Sequence, residues 1–232
     1  MTKYAFFDVD KTIYKGYTEN ALMKYIDDNN IFGKKPVAEM KRINGLYHSR
    51  KLSYNEAVDE IGDVVSDVVR DQTVGEMEEV VDELIGDSKE QFEEWFFPVY
   101  ELLRSNEFKT ILISGSNDII ISKVARIIGE DIEYYCTQLE KKNGVYTGNN
   151  FGHMNGLKKK EVIESFESKG DDIFSIGFGD SPGDIPMLES VDRAFVFYQT
   201  DHPEMEDVVK DKGWVMFKSK EELIPQIKKD LL

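Results

Sequence analysis

The most constraining feature of this sequence is a series of short apolar runs, most of which are followed by a segment with helical periodicity. Near-continuous apolar runs are typical of strands buried on both faces, and helices between them favour a parallel sheet. The predicted strands are Tyr4–Phe7, Thr110–Ile113, Ile173–Phe178, Arg193–Phe197 and Val215–Phe217, with a weaker one at Tyr134–Thr137. The predicted helices lie at about 117–128, 158–168, 184–190, 203–212 and 219–231. This order predicts a three-layer α/β fold with a mostly parallel sheet.

Roughly a hundred residues separate the first predicted strand from the second, and this interval shows no strand signal. Apolar residues recur there at helical spacing, and Ser53–Glu56 and Thr73–Glu76 have the pattern of capping boxes that begin new helices. We therefore predict that residues 15–90 form a helical insertion in an α/β core of residues 1–14 and 91–232. The length of 232 residues agrees, because it exceeds one ordinary domain and is too short for two full-size ones.

The charge balance limits the possible partners. The chain has 29 Lys and Arg against 45 Asp and Glu, a formal net charge of −16. Because nucleic-acid binding depends on a basic surface, we expect no DNA or RNA partner. The single cysteine, Cys136, excludes an intrachain disulfide, and no stretch is apolar enough for a signal peptide or a membrane span. We expect a cytoplasmic protein without a membrane partner, and the sequence leaves the oligomeric state open.

Acidic residues follow two of the predicted strands. Asp8 and Asp10 follow the first strand, and Asp180 and Asp184 follow the strand over 173–178. In open α/β sheets the ligand crevice lies at the carboxyl ends of the strands, so these groups converge there. In an extended chain Asp8 and Asp10 share a face about 6–7 Å apart, where like charges repel unless a cation intervenes. A hard divalent cation with oxygen ligands, with Mg²⁺ as the natural candidate, resolves that repulsion.

Groups suited to phosphate lie near the same edge. Ser114 and Gly115, at a predicted strand-to-helix turn, offer a hydroxyl and backbone amides to an anion. The run Lys158–Lys160 begins the helix that precedes the strand over 173–178, and a lysine there can neutralise phosphate oxygens. Alone, the Ser-Gly-Ser pattern is more typical of a plain loop, and the lysine run is more typical of a solvated surface. Their combination with the aspartates predicts a site for phosphate chemistry.

In this order the motifs resemble those of the haloacid dehalogenase superfamily, specifically its phosphoserine-phosphatase-like branch, subfamily IB, with a helical cap of the C1 type. Asp-x-Asp-x-Thr lies at 8–12, and Gly-Asp-Ser-Pro-Gly-Asp-Ile-Pro-Met-Leu lies at 179–188. The resemblance covers nearly the whole chain, since the interval 15–90 has the position of the cap. It implies a Rossmann-like core and a Mg²⁺-dependent phosphatase that acts on a small phosphorylated metabolite.

The resemblance also implies a role for each motif residue. Asp8 is the expected nucleophile, which forms an aspartyl-phosphate, and Asp10 is the expected general acid and base. Lys159 is preferred to Lys158 as the catalytic lysine, because apolar residues follow it three and four positions on. Thr12 would help to shape the loop. The phosphoryl oxygens would be bound by Ser114, the Gly115 amide and Lys159. The Mg²⁺ ligands would be Asp8, the Asp10 backbone carbonyl and Asp180, with Asp184 either bound through a water molecule or anchoring the ligands without touching the metal.

Two positions depart from the phosphoserine phosphatases of this superfamily. Tyr17 stands where they have a glutamate that contacts the serine, with Glu19 close but out of register, and Ile61 falls near the position of the arginine that binds the serine carboxylate. Both departures disfavour phosphoserine. Four tyrosines in the interval suit a cationic alcohol such as ethanolamine or choline: Tyr17, Tyr25, Tyr47 and Tyr54. The three histidines lack metal-ligand spacing and receive no role: His48, His153 and His202.

Two alternative functions remain open. A phosphotransferase would pass the phosphoryl group from Asp8 to an acceptor alcohol. A receiver-like regulatory module would instead keep phosphate on Asp8 as a signal. An acid–base group at Asp10 disfavours the regulatory module, because it hastens loss of the phosphate. A helical insertion after the first strand is also foreign to receiver domains.

Overall fold

The computed structural model describes residues 1–167 and 172–231. Its strands are β1 (Thr2–Phe7), β2 (Phe108–Asn117), β3 (Glu133–Lys142), β4 (Val145–Phe151), β5 (Ile173–Gly179), β6 (Arg193–Phe197) and β7 (Val215–Phe217). They form one sheet in the order β4-β3-β2-β1-β5-β6-β7, and β4 alone runs antiparallel to its neighbour. The predicted α/β fold with a mostly parallel sheet is confirmed.

Helices connect the strands. Within the described residues they are α1 (Thr18–Asp28), α2 (Val37–His48), α3 (Tyr54–Val69), α4 (Val74–Ile85), α5 (Phe96–Ser105), α6 (Asp118–Ile128), α7 (Gly156–Glu167), α8 (Ile185–Leu188), α9 (Met205–Lys212) and α10 (Lys220–Leu231). The helix predicted at 158–168 begins earlier, and residue 168 lies outside the described residues. The helix predicted at 184–190 is only α8, because the chain first makes a 3₁₀ turn over Pro182–Asp184.

The hairpin of β3 and β4 extends beyond the sequence prediction, which included only a weak strand at 134–137. Lys142 pairs with Val145, so the turn consists of Asn143 and Gly144, whose φ angles are 54° and 77°. Asn-Gly is the sequence that two-residue hairpin turns favour, because both positions need positive φ. Strand β4 was missed because most of its residues are exposed or half-buried, so it contains no apolar run.

Residues 15–90, called the interval below, fold mainly into helices, as predicted. Ser53 and Thr73 cap α3 and α4, and each side chain accepts a hydrogen bond from the amide of the glutamate three residues on. Both predicted capping boxes are therefore confirmed. The two ends of the interval lie side by side, because the amide of Lys15 donates to the carbonyl of Gln91 at 2.7 Å.

One apolar cluster extends from the sheet into the interval. Phe7 in β1 stacks on Phe178 in β5 with ring centroids 4.4 Å apart. Leu22, Val65 and Met77, from α1, α3 and α4, are fully buried in the same cluster. Burial of apolar surface therefore holds these helices against the core.

A second attachment joins the interval to the β3–β4 hairpin. The amide of Asp71 donates to Tyr146, and the amide of Tyr146 donates to Gln72, both at 2.9 Å. The amide of Val74 donates to the carbonyl of Gly144 at 3.0 Å. These backbone hydrogen bonds fasten the connection between α3 and α4 to the edge of the sheet.

Two smaller predictions concern Cys136 and membrane spans. Cys136 is buried within the apolar cluster, as a small apolar side chain would be. Among the described residues, no helix combines the length and the apolar character that crossing a membrane requires.

Candidate active site

The predicted site residues meet at one edge of the sheet, where β1, β2 and β5 end. Strand β1 lies between the other two, so Asp8 follows the central strand. The amide of Asp8 donates to the carbonyl of Phe178 at 2.9 Å, which fixes the start of the loop after β1. Since the chain crosses from one side of β1 to the other between β4 and β5, this edge is the switch point where ligands bind in open α/β sheets.

Lys159 lies in the centre of the acidic groups. Its Nζ is 2.6 Å from Asp8 Oδ1 and 2.7 Å from Asp184 Oδ1, and its side chain is fully buried. Burial alone lowers the pKa of Lys159, but the carboxylates of Asp184 and Asp8 raise it well above its ordinary value. Lys158 instead points outward and pairs with Glu161. The structure thus brings Lys159, and not its neighbour, to the site.

Three carboxylates surround this lysine. Oxygen atoms of Asp8, Asp180 and Asp184 lie within 4.8 Å of one another, and all three residues are buried. Burial and then the Asp184 carboxylate raise the pKa of Asp8 to about 7, although Lys159 opposes the shift. Burial and the carboxylates of Asp184 and Asp8 raise the pKa of Asp180 well above its ordinary value. With all three carboxyls ionised, the cluster would hold more negative charge than one lysine offsets.

The hydroxyl of Thr12 shows the same excess of acceptors. Its oxygen is 2.9 Å from Asp8 Oδ2 and 2.9 Å from Asp180 Oδ1. A hydroxyl has one proton and donates to only one of these carboxylates, so the second contact requires a protonated carboxyl or a cation. A hard divalent cation suits this set of oxygen donors, and the residues present therefore fit a metal site.

Asp184 is held on both oxygens by the chain itself. Its Oδ1 accepts from Lys159, and its Oδ2 accepts from the amides of Asp180 and Ser181, each at 3.1 Å. The Ser181 hydroxyl also donates to Oδ2, at 3.0 Å. Asp184 therefore anchors the loop after β5 and places Asp180 beside Asp8.

Asp10 lies in different surroundings from Asp8. Its Oδ1 accepts from the amide of Thr18 at 2.8 Å, and its Oδ2 accepts from the hydroxyl of Ser116 at 2.6 Å. Burial raises the pKa of Asp10, and these two hydrogen bonds oppose the shift. Neutral donors thus surround Asp10, whereas charged groups surround Asp8. Two carboxyls with such unlike environments suit different chemical roles.

Ser114 and Gly115 do not form the predicted strand-to-helix turn. They lie within β2, which continues to Asn117, at an irregularity in its pairing with β3. The hydroxyl of Ser114 is buried and accepts from the amide of Ser116 at 3.1 Å. The predicted turn was wrong because β2 stays paired to β3 through Asn117 and Thr137, so the strand leads directly into α6.

A cavity of about 100 Å³ lies over Asp8 and Asp10, between the core and the interval. From the core it is lined by Gly115, Ser116 and Asp180 together with the two aspartates. From the interval it is lined by polar and aromatic groups with an apolar strip, which include Tyr17, Glu19, Asn44, Tyr47, His48, Tyr54 and Ile61. The interval therefore forms the wall that faces the carboxylates.

The comparison with family models decides the family. Residues 5–189 match the model of the haloacid dehalogenase-like hydrolases, a span that contains both aspartate motifs and the whole interval. The chain belongs to this family. The predicted resemblance to the superfamily is thereby confirmed. No curated protein matches the chain in sequence.

Solved structures of a HAD family hydrolase and of phosphoserine phosphatases share the fold. A HAD family hydrolase from Salmonella enterica is 18% identical, with a TM-score of 0.72, over 99% of this chain and 72% of its own. A substrate-bound phosphoserine phosphatase is also 18% identical, with a TM-score of 0.67, over 99% of this chain and 98% of its own. The phosphoserine phosphatase of T. onnurineus is 20% identical, with a TM-score of 0.62, over 98% and 95%. The predicted likeness to phosphoserine phosphatases is confirmed for the fold.

This haloacid dehalogenase-like hydrolase has cavity residues that the sequence did not indicate. His48 and His202 both line the cavity, although their spacing gave no reason to pair them. Glu19 also lines it, and its Oε1 accepts from the side chain of Asn117 at 2.8 Å. The position seven residues after Asp10 is Tyr17, but Glu19, the second residue of α1, lines the same cavity. Only the three-dimensional path of α1 reveals this.

The predicted set of four tyrosines is only partly correct. Tyr17, Tyr47 and Tyr54 line the cavity, whereas Tyr25 lies outside it and donates to Glu83 on α4 at 2.9 Å. Tyr25 was misplaced because it lies on a different face of α1 from the cavity. Tyr54 fills the gap between the end of β2 and the loop after β5, and its hydroxyl lies 3.4 Å from the position that a Cβ atom on Gly115 would occupy.

Proposed function

We propose that the protein is a Mg²⁺-dependent phosphatase that hydrolyses a small-molecule phosphomonoester through an aspartyl-phosphate on Asp8. The observation that carries this proposal is the contrast between two carboxyls over one cavity. Asp8 lies against Lys159 and the other aspartates, as a nucleophile on a phosphoryl group requires. Asp10 lies among neutral donors, as a proton carrier requires.

In the first step a carboxylate oxygen of Asp8 attacks the phosphorus atom and the ester P–O bond breaks. The departing alcohol oxygen takes the proton of the Asp10 carboxyl, so the alcohol leaves neutral. Burial raises the pKa of Asp10, which keeps that proton in place at higher pH than for an exposed carboxyl. The Thr18 amide and the Ser116 hydroxyl hold the carboxyl in position.

In the second step the Asp10 carboxylate removes a proton from water. The water oxygen forms a bond to phosphorus, the bond between phosphorus and Asp8 breaks, and inorganic phosphate leaves. Asp10 is then protonated again and Asp8 is free. The same two side chains therefore serve both halves of the cycle.

The charge of the phosphoryl group needs compensation in so acidic a site. Mg²⁺ would be held by Asp8, Asp180 and the Asp10 backbone carbonyl, with Asp184 either bound through a water molecule or anchoring the ligands without touching the metal. When bound, Mg²⁺ would neutralise charge on the carboxylate and phosphoryl oxygens. Lys159 supplies a fixed positive charge beside Asp8. The Ser114 hydroxyl, the Gly115 amide and Lys159 hold the phosphoryl oxygens, and Thr12 orients Asp8 and Asp180.

We also propose that residues 15–90 act as a cap over a core of residues 1–14 and 91–232. Two observations support this division. The chain enters and leaves the interval side by side, where Lys15 bonds to Gln91 and the amide of Glu93 donates to Ile13 at 2.9 Å. The interval also supplies the cavity wall opposite Asp8. A small cytoplasmic metabolite, and not a nucleic acid, is the partner that this acidic site suits.

The proposal is tested with purified protein and p-nitrophenyl phosphate in the presence of Mg²⁺. We expect release of phosphate by the wild type and none by Asp8→Asn, and an inert wild type across a broad phosphomonoester panel would contradict the proposal. Product analysis with added alcohols separates hydrolysis from phosphate transfer. A long-lived phospho-Asp8 after treatment with acetyl phosphate would favour the regulatory module instead.

A further inference from the structure

The cavity wall has an unusual charge pattern. None of its described lining residues is a lysine or an arginine. Asp8 and Asp180 belong to the cluster around Lys159, where the phosphoryl group and the proposed cation would offset them. Glu19 lies apart from that cluster, in the part of the wall formed by α1. The space for the leaving alcohol therefore contains an acidic group and no basic side chain of permanent charge.

Glu19 is held in one orientation by the core. Asn117 caps α6, and its side-chain oxygen accepts from the amide of Ile119 at 3.1 Å. That contact directs the Asn117 Nδ2 group away from the helix, where it donates to Glu19 Oε1 at 2.8 Å. The Glu19 side chain is therefore buried and fixed, and the residue lines the cavity. A fixed acidic group in such a place is suited to select a ligand.

The remaining wall is aromatic and apolar. Tyr17, Tyr47 and Tyr54 line the cavity, and the rings of Tyr47 and Tyr54 meet edge to face with centroids 6.4 Å apart. Aromatic faces attract ammonium groups. Ile61 adds apolar surface. Lys11, whose Nζ lies 5.4 Å from the centroid of the Tyr17 ring, is already paired with Asp201. A carboxylate on the leaving alcohol would meet Glu19 and no lysine or arginine among the described lining residues, and its desolvation would cost free energy.

The two histidines of the cavity do not reverse this pattern. His202 Nδ1 faces Glu204 Oε1 at 3.5 Å, so a charged His202 already has an acidic neighbour. His48 ends α2, and its ring packs beside that of Tyr47 at a tilt of 48°, with ring centroids 5.5 Å apart. Neither residue gives the wall the lasting positive charge that an arginine would.

We propose that the alcohol released from the substrate carries an amine and no carboxylate, and that Glu19 pairs with the ammonium group among the three cavity tyrosines. The inference rests on the proposed phosphatase function, which supplies the leaving alcohol. It makes Glu19 a specificity-determining residue, which binds the part of the substrate that does not react.

Three esters of nearly equal size test the proposal with the full-length protein and Mg²⁺. They are 2-aminoethyl phosphate, its neutral counterpart 2-hydroxyethyl phosphate, and O-phosphoserine, which adds a carboxylate to the first. We expect kcat/KM for 2-aminoethyl phosphate to exceed that of each other ester by about tenfold or more. Equal values for the amine and its neutral counterpart, or a preference for phosphoserine, would overturn the proposal.

Substitutions assign the preference to Glu19. Glu19→Gln should reduce the ratio of kcat/KM between 2-aminoethyl and 2-hydroxyethyl phosphate by about tenfold. Glu83→Gln is the matched control, because Glu83 is exposed on α4 outside the cavity, and its ratio should equal that of the wild type. An unchanged ratio in Glu19→Gln would overturn the assignment. If that variant does not fold, the wild-type preference among the three esters still decides the question of substrate class.

A binding measurement separates this inference from the phosphatase proposal. The dissociation constants of the same three esters are measured by calorimetry on Asp8→Asn, which lacks the nucleophile. Tighter binding of 2-aminoethyl phosphate supports the inference even if the wild type turns over no ester, an outcome that contradicts the phosphatase alone. Turnover of p-nitrophenyl phosphate without any preference among the three esters contradicts the inference alone.

Discussion

The ring of Tyr54 occupies the space that a side chain at residue 183 would need: Tyr54 Cζ lies 2.3 Å from the position of a Cβ atom on Gly183. Tyr54 begins α3 in the interval, and Gly183 lies in the turn after β5 that carries Asp180 and Asp184. The close approach of these two residues therefore sets how the interval sits over the acidic cluster. Glycine is required here for space.

Gly183→Ala should disturb this contact. We expect a loss of about 1–3 kcal/mol in the free energy of unfolding, because a rigid ring and backbone must move apart, together with a lower kcat/KM. Adding Tyr54→Ala should restore part of the stability by removing the ring. Gly45→Ala is the control, since nothing lies within 4 Å of its Cβ position. Urea unfolding gives the free energy of unfolding of the three variants. Equal values for Gly183→Ala and Gly45→Ala would contradict a close contact between Gly183 and Tyr54.

Lys159→Met should remove both activity and stability. We expect kcat/KM to fall by about 10²–10³, because a fixed charge that stabilises the transition state is lost. Without added metal the free energy of unfolding should fall by about 3 kcal/mol, because the carboxylates of Asp8 and Asp184 lose their buried partner. Lys158→Met should match the wild type in both assays, since Lys158 is exposed. A similar loss in both variants would argue for a general effect of the lysine run.

Divalent metal should stabilise the fold through the three carboxylates. Binding of Mg²⁺ at 100 times its dissociation constant adds about 2.7 kcal/mol to the free energy of unfolding. The midpoint of thermal unfolding should therefore rise with Mg²⁺ and return when a chelator is added. Asp180→Asn should lose this response, whereas Asp207→Asn, an exposed change on α9, should keep it. An undiminished Mg²⁺ response in Asp180→Asn would exclude Asp180 as a ligand.

Glu19 should destabilise the empty protein as pH rises. Burial raises the pKa of Glu19 from its ordinary value of 4.5 to about 8. Between these pH values the folded chain binds more protons than the unfolded chain, so the free energy of unfolding falls with increasing pH. Glu19→Gln has no titrating carboxyl at this position. The free energy of unfolding of this variant, relative to that of the wild type, should therefore increase by on the order of 3 kcal/mol between pH 5 and pH 8.

The control for this pH effect is Glu83→Gln. Glu83 is exposed, so this variant should follow the pH dependence of the wild type. Urea unfolding at pH 5 and pH 8, with a chelator present, measures the three proteins. A constant difference between Glu19→Gln and the wild type at the two pH values would contradict a raised pKa.

The sequence predicted the central strands because each combines a dense apolar run with a polar loop at its carboxyl end. Lys159 was identified from the resemblance to the family, which has apolar residues three and four positions after its lysine, and the structure places the Lys159 ammonium group between Asp8 and Asp184. Strand β4 lacked such a run, yet the Asn143–Gly144 pair was a usable hairpin signal. Local patterns were thus enough for the strands with dense apolar runs, whereas for β4 the local signal lay in the turn residues and not in the strand itself.

Local sequence patterns could not predict which residues form the wall of the cavity. Glu19 and Tyr17 are near neighbours in sequence, and only the start of α1 decides that both reach the cavity. Tyr25 shares the composition of the other tyrosines but lies on another side of the same helix. His202 comes to the cavity from the far end of the chain. Such positions depend on how the interval packs on the core, which is a property of contacts distant in sequence.

The backbone hydrogen bonds between residues 71–74 and the β3–β4 hairpin have a kinetic consequence. They attach the interval to the core at a second place, separate from the hydrogen bond between Lys15 and Gln91. A movement of the interval away from the core must therefore break them. Three such bonds cost about 0.5–1.5 kcal/mol each when water replaces them. Under the proposed function, we expect these hydrogen bonds to govern the rates at which the phosphoester enters and the alcohol leaves, more than their affinities. Hydrogen exchange at the amides of Val74 and Tyr146 would report how often these bonds open.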